Sequence, residues 1–258
     1  MAEKLDNFFK RLSQTDSRLL LLDYDGTLAA FRKKRDRAYP YAGVEKRLDW
    51  IISLNKTNIV IISGRAIEDL KPLLKLEKYP EIWGSHGRER LTAKGEYSII
   101  KPDKLSARGL EEAVKFIRNN NLIEFLESKP ASIAIHFRGV EAKKTLEIRR
   151  KILDNWKRVG AEFNLEYAEF DGGVELKIPG VDKGTAVKEI FDVYPYQTVG
   201  AYLGDDLTDE DAFRALPENA LGILVGKRSG KTAAAVRITP PQELLHFLDR
   251  WIEIDKTE

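Results

Sequence analysis

Short, unbroken runs of apolar residues are the clearest feature of the hydrophobic pattern. Runs bounded by glycine, aspartate or serine lie at residues 19–22, 59–62, 199–203 and 221–225. An unbroken apolar run of this length is typical of a strand that is buried on both faces, as in a parallel sheet covered by helices. The pattern therefore predicts an α/β protein with a Rossmann-like parallel sheet.

Apolar residues at helical spacing lie between these runs. Val44, Leu48 and Ile51 precede the second run in this way, and Val187 with Ile190 precedes the third. The residues after Pro240-Pro241 predict a closing helix, with proline at its first turn. Strand, helix, strand is thus the repeating unit of the predicted sheet.

The middle of the chain has a different pattern. Ile133, Ile135 and Phe137 alternate with more polar residues, which predicts a half-exposed strand. Flanking helical patterns give the order helix, strand, strand, helix, strand, strand, with a hairpin at residues 171–173. We therefore predict a core domain of residues 1–102 and 180–258, interrupted by a smaller α+β cap domain of residues 103–179.

Composition excludes several classes of function. Because 43 Lys and Arg almost balance 41 Asp and Glu, the net charge of +2 predicts no nucleic acid or membrane partner. The absence of cysteine excludes thiolate metal sites and a cysteine nucleophile. The polar N-terminal segment lacks the apolar stretch of a signal peptide, and no run approaches the roughly 20 residues that span a bilayer. We expect a cytoplasmic monomer.

Polar residues follow the apolar runs at the edge where ligands bind in open α/β sheets. Asp23 and Asp25 follow the first run, Ser63 follows the second, and Asp205 with Asp206 follows the third. Lys183 opens the helical pattern before that third run. Carboxylates, a hydroxyl and an ammonium group together indicate phosphoryl transfer.

These groups suggest a division of roles. Mg²⁺ prefers carboxylate oxygens, and the candidate metal ligands are Asp23, Asp25, Asp205 and Asp206. With the charge of a phosphate neutralised by Mg²⁺ and Lys183, Asp23 is able to attack it, and Ser63 donates a further hydrogen bond. Asp25 would protonate the leaving oxygen and later deprotonate water.

Structural roles remain open for some of these residues. Asp205 or Asp206 fits the cap of a helix that starts near Thr208, and Ser63 fits the N-cap of a helix at 66–70. Asp209 fits either a support for the metal ligands or a partner of the helix dipole.

The order of these motifs resembles the haloacid-dehalogenase-like phosphatases. In chain order, this sequence has an Asp-x-Asp-x-Thr segment (residues 23–27), an apolar run that ends in Ser63, Lys183 and a Gly-Asp-Asp-x-x-Asp segment (residues 204–209). Segments 62–65, 84–87, 135–138, 174–177 and 204–213 are similar to those of trehalose-6-phosphate phosphatases. The resemblance implies hydrolysis of trehalose 6-phosphate and a trehalose-6-phosphate synthase as functional partner.

The candidate sugar-binding residues come from this resemblance and from strand geometry. Residues two apart share one face of a strand, so His136 with Arg138, and Glu175 with Lys177, suit a sugar rich in hydroxyl groups. Together with two residues near the second motif, the full candidate set is Arg65, His86, His136, Arg138, Glu175 and Lys177. For the two residue pairs, the alternative is an exposed ion-pair face of the sheet. For the whole protein, the alternatives are a phosphatase for another sugar phosphate and a non-catalytic module with the same fold.

Overall fold

The computed structural model describes residues 2–32, 34–137, 139–170 and 172–257. The chain divides into two compact units. The core unit runs to Ser98 and resumes at Asp182, and the inserted unit is Ile99–Val181. The predicted α/β class is confirmed by the mostly parallel main sheet and a separate small antiparallel sheet.

An eight-stranded sheet forms the centre of the core unit. Its strands are β1 (Arg18–Leu22), β2 (Thr57–Ile62), β3 (Glu81–Gly84), β4 (Glu89–Leu91), β5 (Tyr97–Ile99), β10 (Val199–Gly204), β11 (Ala220–Val225) and β12 (Val236–Ile238). The order is β12-β11-β10-β1-β2-β3-β4-β5, in which the pairs from β12 to β3 are parallel and β4 is antiparallel to β3. Each of the four apolar runs is therefore a strand, as predicted.

Helices cover both faces of this sheet. They are α1 (Ala2–Leu12), α2 (Val44–Leu54), α3 (Ile67–Leu70), α6 (Lys183–Asp192), α7 (Asp209–Ala215) and α8 (Gln242–Lys256). Leu20 and Leu22 pack in one core cluster with residues of α1, α2 and α8, whereas Leu19 and Leu21 pack in another with residues of α6 and α7. Burial on both faces is the physical reason why the four residues of β1 after Arg18 are all leucine.

Some elements of the core unit differ from those predicted from the sequence, and others were not predicted. Helix α8 begins at Gln242, so that Pro241 is its N-cap residue and lies before its first turn. Helix α1 and the short strands β3, β4, β5 and β12 were not predicted from the sequence. Strands of three or four residues contain too few positions to show a periodicity.

A buried ion pair ties the last helix to the first strands. The Arg18 guanidinium donates from Nη1 to Oδ1 of Asp255 over 3.0 Å. The Thr57 hydroxyl donates to Oδ2 of the same carboxylate over 2.8 Å, and it accepts from the Trp251 indole over 2.8 Å. Since these side chains are buried, the network fixes α8 against the sheet with its polar groups satisfied.

The inserted unit contains a four-stranded antiparallel sheet in the order β6-β7-β9-β8. Its elements are α4 (Lys104–Asn119), β6 (Leu126–Lys129), β7 (Ser132–His136), α5 (Ala142–Phe163), β8 (Glu166–Phe170) and β9 (Gly173–Lys177). This is the predicted order. Ile133, Ile135 and Leu176 belong to one apolar cluster with Ile117 and Trp156 of the two helices. One sheet face is thereby buried.

No helix in the described ranges is long and apolar enough to cross a membrane.

Candidate active site

The predicted polar groups meet at the carboxyl edge of the main sheet. Strand β1 lies between β2 and β10, so the residues after these strands become neighbours. Asp23 follows β1, and its backbone N–H donates to the Leu203 carbonyl over 2.9 Å, which continues the pairing of β1 with β10. Asp205 and Asp206 follow β10, and Ser63 follows β2.

A group of three carboxylates at this edge is suited to hold a metal ion. One oxygen each of Asp23, Asp205 and Asp209 lies within 4.8 Å of the others. Within the part of the chain that the structure describes, Oδ1 of Asp205 is buried and has no hydrogen-bond partner. A buried carboxylate oxygen without a donor is costly unless a cation approaches it, so the geometry fits a metal ligand at Asp205.

The predicted metal ligands only partly coincide with this group. Asp23 and Asp205 belong to it, and so does Asp209, for which the sequence allows either support of the metal ligands or a contact with the helix dipole. The Asp25 carboxylate is engaged by Arg65, and Oδ1 of Asp206 accepts from the Leu207 backbone N–H over 2.6 Å. A glycine is needed beside the group, because a Cβ on Gly26 would lie 2.0 Å from Oδ2 of Asp205.

Lys183 is buried between two carboxylates. Its Nζ donates to Oδ1 of Asp23 over 2.6 Å and to Oδ1 of Asp209 over 2.7 Å. The residue opens α6, whose first turn is held by a capping box in which Asp182 and Thr185 exchange side-chain to backbone hydrogen bonds. Helix capping thus fixes where the ammonium group enters the site.

Asp209 organises the surrounding groups. Its Oδ1 also accepts from the Tyr202 hydroxyl over 2.5 Å, and its Oδ2 accepts from the backbone N–H groups of Asp205 and Asp206, each over 2.9 Å. Both oxygens are therefore hydrogen-bonded, and the side chain holds Lys183 and the strand-end loop in place. This geometry favours the supporting role among the two left open by the sequence.

The carboxylates influence each other's protonation. Burial raises the pKa of Asp23 to about 7, an effect that Lys183 opposes and Asp209 reinforces. Burial, with the charges of Asp23 and Asp209, raises the pKa of Asp205 to about 10. Burial alone would lower the pKa of Lys183, but the carboxylates of Asp209 and Asp23 raise it above its usual value. The raised pKa values mean that Asp23 and Asp205 resist ionisation in this buried place, and a bound cation would favour their ionised forms.

Arg65 contacts Asp25 in a two-pronged ion pair. Its Nε donates to Oδ2 over 2.6 Å and its Nη2 donates to Oδ1 over 2.7 Å. Arg65 was predicted as a substrate ligand, and the structure places its guanidinium on the carboxylate of the predicted acid. Such a fork fixes the orientation of a carboxylate as well as its charge.

Ser63 and His86 lie in two neighbouring loops that are joined by a backbone hydrogen bond. The Ser63 hydroxyl accepts from the Arg65 backbone N–H over 3.1 Å, and the Ser63 carbonyl accepts from the His86 N–H over 2.9 Å. Helix α3 begins at Ile67 with Ala66 as its N-cap residue, so Ser63 closes a turn and does not cap the helix. The loops are so close that a Cβ on Gly64 would meet the His86 ring at 2.6 Å.

The turn that carries His86 has an uncommon backbone. Ser85, His86 and Gly87 have φ values of 48°, 59° and 102°. Left-handed conformations of non-glycine residues are costly and are concentrated at functional sites. Contacts with the loop after β2 hold this turn in place.

A separate polar surface lies on the inserted unit, on the sheet face opposite the apolar one. The Glu175 carboxylate accepts from Lys129 over 3.0 Å and from the Ser132 hydroxyl over 2.7 Å, and it is buried. Lys177 lies 3.4 Å from Glu166. The predicted pair Glu175 and Lys177 shares this face, but each residue pairs across strands with another partner.

His136 occupies the same face. Its Nε2 lies 2.6 Å from Oε2 of Glu127, and its ring meets Phe170 edge-on at 5.3 Å between centroids. The other member of the predicted pair, Arg138, lies outside the described residues.

A comparison of the sequence with protein families connects these observations. The family described as trehalose-phosphatase matches residues 21–239, which include both the acidic group and the polar face of the inserted unit. The chain belongs to the trehalose-phosphatase family. As a trehalose-phosphatase, it is a phosphoric monoester hydrolase.

Similar proteins span nearly the whole chain. A probable trehalose-phosphate phosphatase H of Arabidopsis thaliana is 27% identical over 265 aligned positions, which cover 94% of this chain and 74% of the relative. A trehalose-phosphate phosphatase of Mycobacterium marinum is 30% identical over 247 positions, 90% of this chain and 60% of the relative. The C-terminal domain of Candida albicans trehalose-6-phosphate phosphatase superposes with a TM-score of 0.82 over 96% of each chain, at 23% identity.

Around the acidic group of the core unit, and separately on the polar face of the inserted unit, lie further residues that the sequence did not single out. Tyr202 and Asp182 were missed, as were the cross-strand partners Glu127, Lys129 and Ser132. Asp182 carried a detectable signal, because it stands three residues before a threonine at the start of a helical pattern. The cross-strand partners carried none, since the register of antiparallel strands is set by turns and packing.

Proposed function

We propose that this trehalose-phosphatase hydrolyses trehalose 6-phosphate to trehalose and phosphate through an aspartyl-phosphate on Asp23. The observation that supports this most directly is the buried contact of Asp23 with Lys183 beside the carboxylates of Asp205 and Asp209. It supports the proposal because the proposed attacking group, a cation and potential metal ligands are neighbours.

Magnesium is the cofactor that we propose. Asp23 and Asp205 would hold it, because oxygen ligands suit Mg²⁺ and Oδ1 of Asp205 is not bound by a donor among the described residues. When bound, the ion would neutralise charge on the phosphate. The further candidates Asp25 and Asp206 stay predictions, which a structure with bound metal tests.

Four side chains would have separate roles in the two steps of the reaction. An Asp23 oxygen attacks phosphorus, the bond from phosphorus to the sugar oxygen breaks, and Asp25 gives that oxygen a proton. Water then attacks phosphorus and gives its proton to Asp25, and the bond to Asp23 breaks to release phosphate. Lys183 would stabilise the transferring group, and Ser63 would donate a hydrogen bond to it.

The inserted unit would supply the sugar contacts and thus act as the cap domain. The polar face that carries His136, Glu175 and Lys177 offers donors and acceptors already oriented by cross-strand partners. Substrate contacts of Arg138 and His86 stay predictions. So do a monomeric state, a cytoplasmic location and supply of substrate by a separate synthase.

Phosphate release from a substrate panel tests this function. Purified protein with MgCl₂ should release phosphate from trehalose 6-phosphate much faster than from glucose 6-phosphate or sucrose 6-phosphate. Equal turnover of glucose 6-phosphate would contradict the disaccharide assignment, and no turnover of any sugar phosphate would contradict the function itself.

Substitution of the proposed nucleophile tests the mechanism. Asp23→Asn should lower kcat by at least about 10³-fold, because an amide does not form the acyl phosphate. Asp16→Asn, at an exposed position before β1, is the matched control and should retain full activity. Retained turnover in Asp23→Asn would remove Asp23 as the nucleophile.

A further inference from the structure

The loop that follows β11 carries three basic residues within seven positions. Residues 226–232 read Gly-Lys-Arg-Ser-Gly-Lys-Thr. The side chains of Lys227 and Lys231 are exposed, whereas Arg228 is partly buried. The loop resembles a nucleotide-binding P-loop, but it has three residues between its glycines where that motif has four, and a strand follows in place of a helix. The loop therefore lacks the spacing and the helix N-terminus with which a P-loop binds a nucleotide.

The position of the loop points to another role. Because β11 is parallel to β10, the loop leaves the sheet at the edge where Asp23 and Asp205 lie. Strand β11 is the second neighbour of β1, and adjacent strands are about 4.8 Å apart, so the loop starts roughly 10 Å from the strand that precedes Asp23. This distance is close to the screening length of about 8–10 Å at ordinary ionic strength.

The loop is anchored to the helix that carries Asp209. Glu210, the next residue of α7, is buried and forms an ion pair with Arg228. Its Oε2 also accepts from the Ala233 backbone N–H over 2.8 Å. The Arg228 carbonyl in turn accepts from Arg237 over 2.8 Å. Anchors at Arg228 and Ala233 thus tie the loop to α7, with Lys227 directly before the first anchor and Lys231 between the two.

The acidic edge needs such cations. When ionised, its aspartates outnumber the cations Lys183 and Arg65, so in that state the edge repels an approaching phosphate dianion until charge is offset. We propose that Lys227 and Lys231 form an anion-recruiting site that attracts the phosphate group of the substrate to this edge. The inference rests on the proposed function.

Kinetics at different ionic strengths test the proposal. Removing both charges in Lys227→Ala with Lys231→Ala should lower kcat/KM for trehalose 6-phosphate by about 3- to 10-fold at low salt. The loss should shrink below about 1.5-fold at roughly 0.5 M salt, because salt screens exposed charges. Since the lysines act before the chemical step, kcat at saturating substrate should not change.

Matched variants separate recruitment from general charge effects. Lys10→Ala with Lys56→Ala removes two exposed lysines that lie on α1 and just before β2, away from this edge, and should leave kcat/KM unchanged. Replacing both loop lysines by arginine should keep kcat/KM at the wild-type value. Replacing both by glutamate should lower kcat/KM below that of the double alanine variant.

Two results would overturn the inference while the wild type is active. One is a loop double variant that behaves like the Lys10 and Lys56 control, and the other is a loss of kcat/KM that persists at high salt. A wild type that releases no phosphate would instead contradict the proposed function.

Discussion

At the scale of single residues, the site depends on one buried charge arrangement. Lys183 is placed between Asp23 and Asp209, and each of the three side chains is almost fully buried. Buried charges are tolerated when each is paired and hydrogen-bonded, and they become costly when one partner is removed. Residues that support the chemistry should therefore also support folding.

Asp209→Asn tests this coupling of stability and function. The substitution leaves Lys183 with one carboxylate and should lower the free energy of unfolding by about 3 kcal/mol. It should also lower kcat, because Lys183 and the backbone of Asp205 lose their anchor. Urea denaturation and phosphate release measure the two effects.

The matched control for Asp209→Asn lies on the same helix. The Asp211 side chain is 45% exposed and pairs with Arg214 at the surface, so Asp211→Asn should change the free energy of unfolding by less than about 0.5 kcal/mol. Equal destabilisation by both substitutions would show that burial of Asp209 has no special effect.

At the scale of single elements, helix starts deliver charged groups to the sheet edge. Helix α6 presents Lys183 in its first turn, and α7 presents Asp209 in its first turn. The four apolar runs predicted the strand ends before Asp23, Ser63 and Asp205, because hydrophobic strands end abruptly at polar residues. Short strands such as β3 and β12 are not predicted from the sequence. They have too few residues to show a periodicity, and they form because neighbouring strands pair with them.

The N-cap of α6 provides a prediction at this scale. Asp182→Ala removes the acceptor for the Thr185 N–H and should lower the free energy of unfolding by about 1 kcal/mol. Fraying of this turn displaces Lys183, so kcat should fall although Asp182 is not a proposed catalytic residue. Asp192→Ala at the exposed other end of α6 should leave kcat unchanged. If Asp182→Ala retains full kcat, the cap does not position Lys183.

At the scale of the whole molecule, metal binding and protonation should be linked to stability. The folded pKa of about 7 for Asp23 exceeds its ordinary value of 3.8. Between these values the folded state binds a proton that the unfolded state has released, so the stability of the metal-free protein falls as pH rises from about 4 to about 7. Asp205, with a pKa of about 10, continues this trend at higher pH.

Magnesium should reverse this loss. Its binding displaces protons from the carboxylates, so the rise in melting temperature caused by MgCl₂ should be larger at about pH 8 than at about pH 5.5. Differential scanning fluorimetry at both pH values measures it, with Asp205→Asn as the variant that should lose most of the shift. A shift of equal size at both pH values would contradict the assignment of these carboxylates as the metal site.

The sequence by itself determined the α/β class, the strand ends with Asp23, Ser63 and Asp205, and the helix start at Lys183. These features depend on local hydrophobic pattern and residue chemistry, which are visible along the chain. Only the tertiary structure decided which side chains pair: Arg65 with Asp25, Glu175 with Lys129, and Asp209 with Lys183. Such pairs join residues that are distant in sequence, and strand order, register and helix packing bring them together.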